Sequence, residues 1–251
     1  MDRRTMPDAA GRSKLRNELP YPIAVNYKRI GACAADSLPK LTYLLRTAEM
    51  TARLLAIIAL TDVRRGLGAE HLPAQAKLRS DFRQRFAGPT FGQWMRFLRE
   101  ALLLLRDSGK RPFVAELEDF FFDKGDTPTE EIRILDRLLE LRNNLSHGRL
   151  ILGDRQVAAG CAETLPALER VLCRLLFLGE YSLSFVWPIE VEKRRNADPT
   201  YRRTTLVLTG CAEPFDAARE ESSVLCESAE VLLLGRDRQS YLSLDPLVVY
   251  S

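Results

Sequence analysis

Five polar residues able to contact a phosphate group stand together near the middle of the chain. The stretch R-N-N-L-S-H contains Arg142, Asn143, Asn144, Ser146 and His147. A guanidinium keeps its charge and offers a fixed fork of N–H donors to phosphate oxygens. An imidazole, with an ordinary pKa of about 6.5, takes up or releases a proton near neutral pH. These residue types can therefore bind an anionic group and transfer protons.

A helix is predicted to carry this cluster at its carboxyl end. The preceding apolar residues recur at helical spacing and predict a buried face formed by Ile132, Leu135, Leu138, Leu139 and Leu141. Gly148 is the predicted C-cap. Asn143 and His147 are four apart and share a face. Arg142 and His147 are separated by roughly 140° and ~7.5 Å along the axis, so they meet only through the long arginine side chain, a loosened last turn or a second subunit.

The motif and its helical setting resemble a known family. R-N-N-L-S-H is similar to the R-N-x-x-x-H signature of HEPN domains, the all-α domains of prokaryotic toxins and defence nucleases, and the resemblance covers about residues 23–181. It implies a metal-independent endoribonuclease that needs no cofactor and acts as a homodimer with two motifs facing each other. It also implies that Arg142, Asn143 and His147 are the catalytic residues of a toxin or phage-defence effector.

RNA supplies its own nucleophile, the 2′-hydroxyl beside the scissile phosphate, so His147 is expected to act as base or acid and Arg142 to stabilise the anionic phosphorane. The expected products are 2′,3′-cyclic phosphate and 5′-hydroxyl ends. Four further residues are predicted to support substrate binding: Asn144, Ser146, Arg149 and Glu49. Glu49 is expected to orient Arg142.

Control by a partner is also expected from the resemblance. Toxins of this family that are inactivated by adenylylation carry a tyrosine two residues after the histidine, where this chain has Arg149. That mode of control is therefore not expected, and restraint by the β tail or by an antitoxin or sensor subunit is the alternative.

Two other interpretations of the cluster stay open. Polar residues at a helix C-terminus commonly satisfy its last carbonyl groups, and the bundle could be a nucleotide-binding or dimerisation module without turnover. A competing pair, Arg65 and His71, has a looser family spacing but lies in a glycine-rich loop without the asparagine.

Composition excludes several classes of protein. The net charge of +3 is too small to indicate nucleic-acid binding by itself. The five scattered cysteines form no C-x-x-C pair, so they predict neither a zinc site nor a disulfide framework and favour a cytoplasmic protein. The N-terminal stretch lacks an apolar segment, and the most apolar run, residues 54–60, is too short to span a membrane.

Apolar periodicity predicts a mainly α fold, an HEPN-like helical bundle followed by a small C-terminal antiparallel β-sheet of about four strands. The predicted regions are a disordered lead-in (1–22), the bundle (23–181) and a β subdomain packed on it (182–251). Helix starts are predicted at Ser37, Thr90 and Thr127, and a last helix is predicted from near Val157 to Tyr181, its start delayed by Gly160 and Pro166.

Overall fold

The computed structural model describes residues 7–67, 69–84, 88–147, 153–192, 200–213, 215, 217–222, 229–245 and 247. Within these ranges the chain is mostly helical and ends in a small antiparallel sheet. The helices are α1 (Ala9–Asn17), α2 (Tyr21–Ala32), α3 (Leu38–Arg64), α4 (Leu72–Gln84), α5 (Phe91–Asp107), α6 (Glu116–Phe121), α7 (Glu130–Ser146) and α8 (Asp154–Arg174). No helix of the described ranges combines the length and apolar character that crossing a membrane requires.

Helix α3 is the central element of the bundle. Ser37 caps it as predicted, because its hydroxyl accepts a hydrogen bond from the Lys40 backbone N–H at 3.3 Å. Every residue from 54 to 63 is buried, so this part of the helix is enclosed on all sides. Helices α2, α5, α7 and α8 pack around it. The first half of α3 is less buried than the second.

The start of α5 is confirmed and the start of α7 is corrected. At α5 the Thr90 N–H donates to the Gln93 side chain at 2.7 Å, as the predicted capping box requires. Helix α7 begins two residues later than predicted, with Thr129 rather than Thr127 as its N-cap. The Thr129 hydroxyl accepts from the Ile132 N–H at 3.4 Å and donates to the Phe120 carbonyl at 2.6 Å, so the cap also ties α7 to α6.

Helix α8 begins earlier than predicted. Its first residue is Asp154, and the Gly153 N–H donates to the Gln156 side chain at 2.9 Å. Gly160 and Pro166 lie inside the helix and do not delay it. A Cβ at Gly160 would lie 3.4 Å from the Leu41 side chain, so the glycine allows α8 to approach α3 closely. The helix ends at Arg174, and a 3-10 helix (Leu176–Glu180) completes the predicted segment.

The prediction of a disordered lead-in is wrong for residues 7–22, while residues 1–6 lie outside the described ranges. Asp8 caps α1 by accepting from the Gly11 N–H at 2.7 Å. Leu15 and Leu19 are fully buried. The Arg12 guanidinium lies 2.9 Å from the carboxylate of Glu169 on α8, which is also buried. Burial of two leucines and one ion pair gives this polar segment its order.

The sheet contains five strands in the described ranges, one more than predicted. They are β1 (Ser182–Glu192), β2 (Thr200–Val207), β3 (Ala217–Ser222), β4 (Glu230–Leu234) and β5 (Tyr241–Ser243), in the order β3-β2-β1-β4-β5. The predicted hairpin loop connects β4 to β5, and the Gly235 N–H donates to the Ser240 carbonyl at 2.8 Å. Strand β3 reads AAREES and has no apolar alternation that would predict it.

One face of the sheet shares the hydrophobic core of the bundle, as predicted. The core includes these buried residues of the β region: Leu183, Leu208, Val231, Leu233, Leu242 and Leu244. The two outer strands differ from the inner ones. Edge strand β3 is charged, and its Glu221 forms an ion pair with Arg202 of β2. Edge strand β5 has only three residues.

Candidate functional site

Arg142, on the last turn but one of α7, has two polar neighbours. Its Nη2 lies 3.7 Å from Oε1 of Glu49 on α3, and its Nη1 lies 3.5 Å from Oδ1 of Asn143. The side chains of Arg142 and Glu49 are 29% and 28% exposed. The guanidinium is therefore held on one side by the protein and remains open to a ligand on the other.

Glu49 reaches this place because of its position on the central helix. It is half-buried and lies between the buried residues Ala48 and Thr51. Helix α7 packs on α3, which brings the ends of the two side chains together. The predicted contact between Glu49 and Arg142 is thus present.

His147 closes α7 as its C-cap, with φ −92° and ψ 9°. Its backbone N–H donates to the Asn143 carbonyl at 3.0 Å. The residue is exposed, and within the described part of the chain its imidazole forms no hydrogen bond or ion pair. Asn143 therefore contacts both of the other residues. Its backbone carbonyl accepts from the His147 N–H, and its side-chain oxygen accepts from Arg142.

The helix ends one residue earlier than the predicted glycine cap. Ser146 is the last helical residue and His147 the C-cap, while Gly148 lies outside the described residues. Among the supporting candidates, Asn144 is half-buried and Ser146 is exposed at the same helix end. Arg149 lies outside the described residues.

Two further arginines, not predicted from the sequence, lie on either side of Glu49 along α3. Arg46 and Arg53 are three residues before and four residues after it, so the three share one helix face. Both arginines are exposed, and their guanidinium carbons lie 5.9 Å and 5.5 Å from the ring centres of Tyr43 and Trp94. Arg46, Glu49 and Arg53 are spaced i, i+3 and i+7, and this helical spacing around a predicted site residue indicates in the sequence that the three share a face.

The competing pair does not form a site. The Arg65 guanidinium lies over the ring of Phe113, 5.5 Å from its centre, whereas Nε2 of His71 lies 3.4 Å from Glu70. Over the described ranges no three His, Cys, Asp or Glu side chains are grouped as metal ligands would be.

Comparisons of the chain with models of protein families, with curated proteins and with solved structures found no match. The HEPN resemblance therefore depends on the R-N-N-L-S-H motif at the end of a bundle helix and on the arrangement of the side chains around it.

Proposed function

We propose that this protein is a metal-independent endoribonuclease of the HEPN type. One observation carries the proposal. A guanidinium held by Glu49 and Asn143 stands at the same end of α7 as an exposed imidazole, which has no side-chain partner among the described residues. The fixed arginine suits stabilisation of the anionic phosphorane, and the exposed histidine suits one of the two proton transfers in the transesterification of RNA.

In the proposed reaction the 2′-oxygen attacks the neighbouring phosphorus and the bond to the 5′-oxygen breaks. A base removes the proton of the 2′-hydroxyl, and an acid gives a proton to the departing 5′-oxygen. His147 performs one of these transfers, and Arg142 stabilises the negative charge that builds up on the phosphorane oxygens. The products are 2′,3′-cyclic phosphate and 5′-hydroxyl ends.

A homodimer is part of the proposal because one motif offers a single imidazole. The two proton transfers occur on opposite sides of the phosphorus, and Arg142 and His147 are themselves separated by roughly 140° around the helix axis. A second α7 end facing the first supplies the other imidazole and brings a guanidinium to each side of the phosphate.

Arg46 and Arg53 extend this site along α3. Arg142 forms an ion pair with Glu49, and Arg46 and Arg53 lie on the same face of α3 as Glu49. Exposed arginines that contact phosphates contribute most of the sequence-independent affinity for a nucleic acid. In the proposed nuclease they bind the RNA backbone beside the scissile bond.

Cleavage of total RNA by the purified protein in EDTA tests the proposal. The wild type is expected to cut, and His147→Ala and Arg142→Ala are expected to lose about 10²–10⁴-fold in rate, as removal of a general acid–base or oxyanion group does. His71→Ala and Arg174→Ala are the matched controls and keep full activity. Loss of cutting in EDTA with recovery in Mg²⁺ would contradict the proposed mechanism.

The second candidate is a non-catalytic HEPN module that binds nucleotides or dimerises and docks to a partner. It is favoured by the Glu49 carboxylate, which already neutralises Arg142, and by the half-buried Leu141 and Leu145 beside the motif. A wild type that is inert towards RNA but self-associates through the α7 end would support it. In either case we propose an antitoxin or sensor subunit as partner, with a toxin or phage-defence role, from the family resemblance alone.

A further inference from the structure

A cavity of about 290 Å³ is lined by residues of α1, α2, the start of α3 and α8, and we call it the α1 cavity. Its volume is close to the lower end of the range of about 300–1,000 Å³ that pockets for small ligands have. The described part of its lining is strongly cationic, in a chain whose basic and acidic residues are nearly balanced at 37 and 34. The charged lining residues are Arg12, Arg16, Lys28, Lys40 and Glu169.

One wall of the α1 cavity is a fixed polar network. The buried Glu169 carboxylate accepts from Nε and Nη2 of Arg12 at 2.9 Å and 3.3 Å and from the Tyr27 hydroxyl at 2.7 Å. The single negative charge of the described lining is therefore already paired. The Arg12 side chain is still 38% exposed, and its Nη1 forms no hydrogen bond among the described residues, so it keeps donors for a ligand.

Helix geometry brings Arg16 to the same wall. Arg16 follows Arg12 by four residues on α1, and residues at this spacing are neighbours on one helix face, with Cβ atoms about 5–6 Å apart. Burial raises the pKa of Tyr27, and the charges of Arg12 and Arg16 both oppose that rise, so both guanidinium groups lie near the Tyr27 hydroxyl. Within the described ranges Arg16 forms neither a hydrogen bond nor an ion pair.

The two lysines add positive charge from α2 and α3. Nζ of Lys28 donates to the Cys211 carbonyl, a neutral group, at 3.4 Å. Nζ of Lys40 lies 3.8 Å from Asp36, a long contact with a carboxylate that is 54% exposed. Solvent weakens such a pair, so the charges of both lysines are available to a ligand.

Apolar side chains complete the lining. Ile30 is 4% exposed and Leu165 is half-buried, and both border the α1 cavity. A cleft with one sign of charge and apolar walls concentrates the field and attracts counter-ions. The arrangement is therefore suited to an anion.

We propose that the α1 cavity binds a small anion that carries two or more negative charges. Arg12 and Arg16 donate to its oxygens from α1, and the ammonium groups of Lys28 and Lys40 balance its remaining charge. Compact polyphosphates and polycarboxylates share this chemistry. The volume of about 290 Å³ favours such an ion over a nucleic-acid strand. The proposal does not rest on the ribonuclease activity, since no lining residue belongs to the motif of α7.

Calorimetric titration of the full chain with pyrophosphate, citrate and acetate at low ionic strength tests the proposal. The Arg142→Ala/His147→Ala protein is used, so that binding at the motif cannot contribute. Pyrophosphate or citrate is expected to bind at least about 10-fold more tightly than acetate, because the single carboxylate lacks further charge-assisted hydrogen bonds. Tighter binding of pyrophosphate identifies a phosphate ligand, and tighter binding of citrate identifies a polycarboxylate. The bound ion is also expected to raise the Tm of the protein.

Arg16→Gln and Lys28→Gln are each expected to weaken binding by about 10-fold. Lys14→Gln on α1 and Arg29→Gln on α2 are the matched controls, because they remove the same charge from the same helices at exposed positions outside the lining. The controls are expected to leave the affinity within about twofold. All four positions are exposed, so the Tm of each unliganded variant is expected to equal that of the parent protein.

Three results would overturn the proposal, and none of them bears on RNA cleavage. The first is that neither pyrophosphate nor citrate binds. The second is an equal loss of affinity in the lining variants and their controls, which would mean that general surface charge attracts the anion. The third is tighter binding of a short RNA strand than of either small anion, weakened by Arg16→Gln, which would make this face a track for nucleic acid.

Discussion

Arg142 is held by contacts that fix its direction without using up its hydrogen-bonding capacity. The guanidinium has five donors, and its distances to Glu49 (3.7 Å) and Asn143 (3.5 Å) are both at the long end of such contacts. A partly exposed ion pair of this kind contributes only about 0–1 kcal/mol. A phosphate can therefore replace solvent around Arg142 while Glu49 continues to orient it.

Glu49→Gln is expected to lower the rate of RNA cleavage by up to about fivefold, which corresponds to the loss of about 1 kcal/mol of positioning. The amide keeps the size of the side chain and removes its charge. Initial rates on one labelled RNA measure the effect, and the exposed Glu163→Gln on α8 is the control. A loss as large as that of His147→Ala, with an unchanged Tm, would mean that Glu49 itself takes part in the chemistry.

For single residues, the sequence predicts which side chains form the candidate site but only some of the contacts around them. The cluster from Arg142 to His147 and the contact with Glu49 are predictable, because helical spacing places polar residues at a helix end and on a facing helix. Arg46 and Arg53 are missed because their role depends on which face of α3 meets α7.

Helix α1 is joined to the bundle by one buried carboxylate. Glu169 on α8 is 1% exposed and accepts from Nε of Arg12 at 2.9 Å and from the Tyr27 hydroxyl at 2.7 Å. Burial, together with the hydrogen bond to Glu169, raises the pKa of Tyr27, so this hydroxyl stays protonated and continues to donate. Three helices thereby meet at one side chain.

Arg12→Ala is expected to lower the free energy of unfolding by about 1–3 kcal/mol, because it leaves a buried acceptor with one partner fewer. Urea unfolding followed by circular dichroism measures the change. Arg16→Ala, an exposed arginine on the same helix, is expected to change the stability by less than about 0.5 kcal/mol. Equal effects of the two substitutions would show that the ion pair does not anchor α1.

Element boundaries that depend on local chemistry are predictable, and those that depend on tertiary contacts are not. The caps at Ser37 and Thr90 are set by side chains within the same turn. Helix α1 forms because Leu15 is buried in the core and Arg12 forms an ion pair with Glu169 of α8. Helix α8 continues through Gly160 because α3 packs against that position. Strand β3 is held by β2 and by cross-strand pairs rather than by an apolar face.

Polar contacts between the bundle and the β region reinforce the hydrophobic core that they share. The Glu116 carboxylate on α6 accepts from the Tyr181 hydroxyl at 2.9 Å and from Arg236 in the β4–β5 hairpin. Nε of Arg236 also lies 2.6 Å from Glu180. Burial alone would raise the pKa of Glu116, but hydrogen bonds from its own backbone, Tyr181 and Arg236 outweigh burial and lower it.

A lowered pKa in the folded state stabilises the protein above the ordinary value of 4.5, and this contribution is lost as the pH falls further below that value. The Tm of the wild type is therefore expected to exceed that of Glu116→Gln at pH 7, with a difference that shrinks as the pH falls below 4.5. Thermal unfolding across this range measures it. Glu118→Gln, two residues further along α6, is the control variant.

The two outer strands of the sheet affect how copies of the protein can meet. A β-sheet grows from copy to copy when a long, flat and uncharged edge is open to another chain. Strand β3 presents Arg219, Glu220 and Glu221 along its six residues, and β5 has only three residues with which to pair. Strand addition into fibrils is therefore disfavoured at both edges of the described sheet, even at high protein concentration.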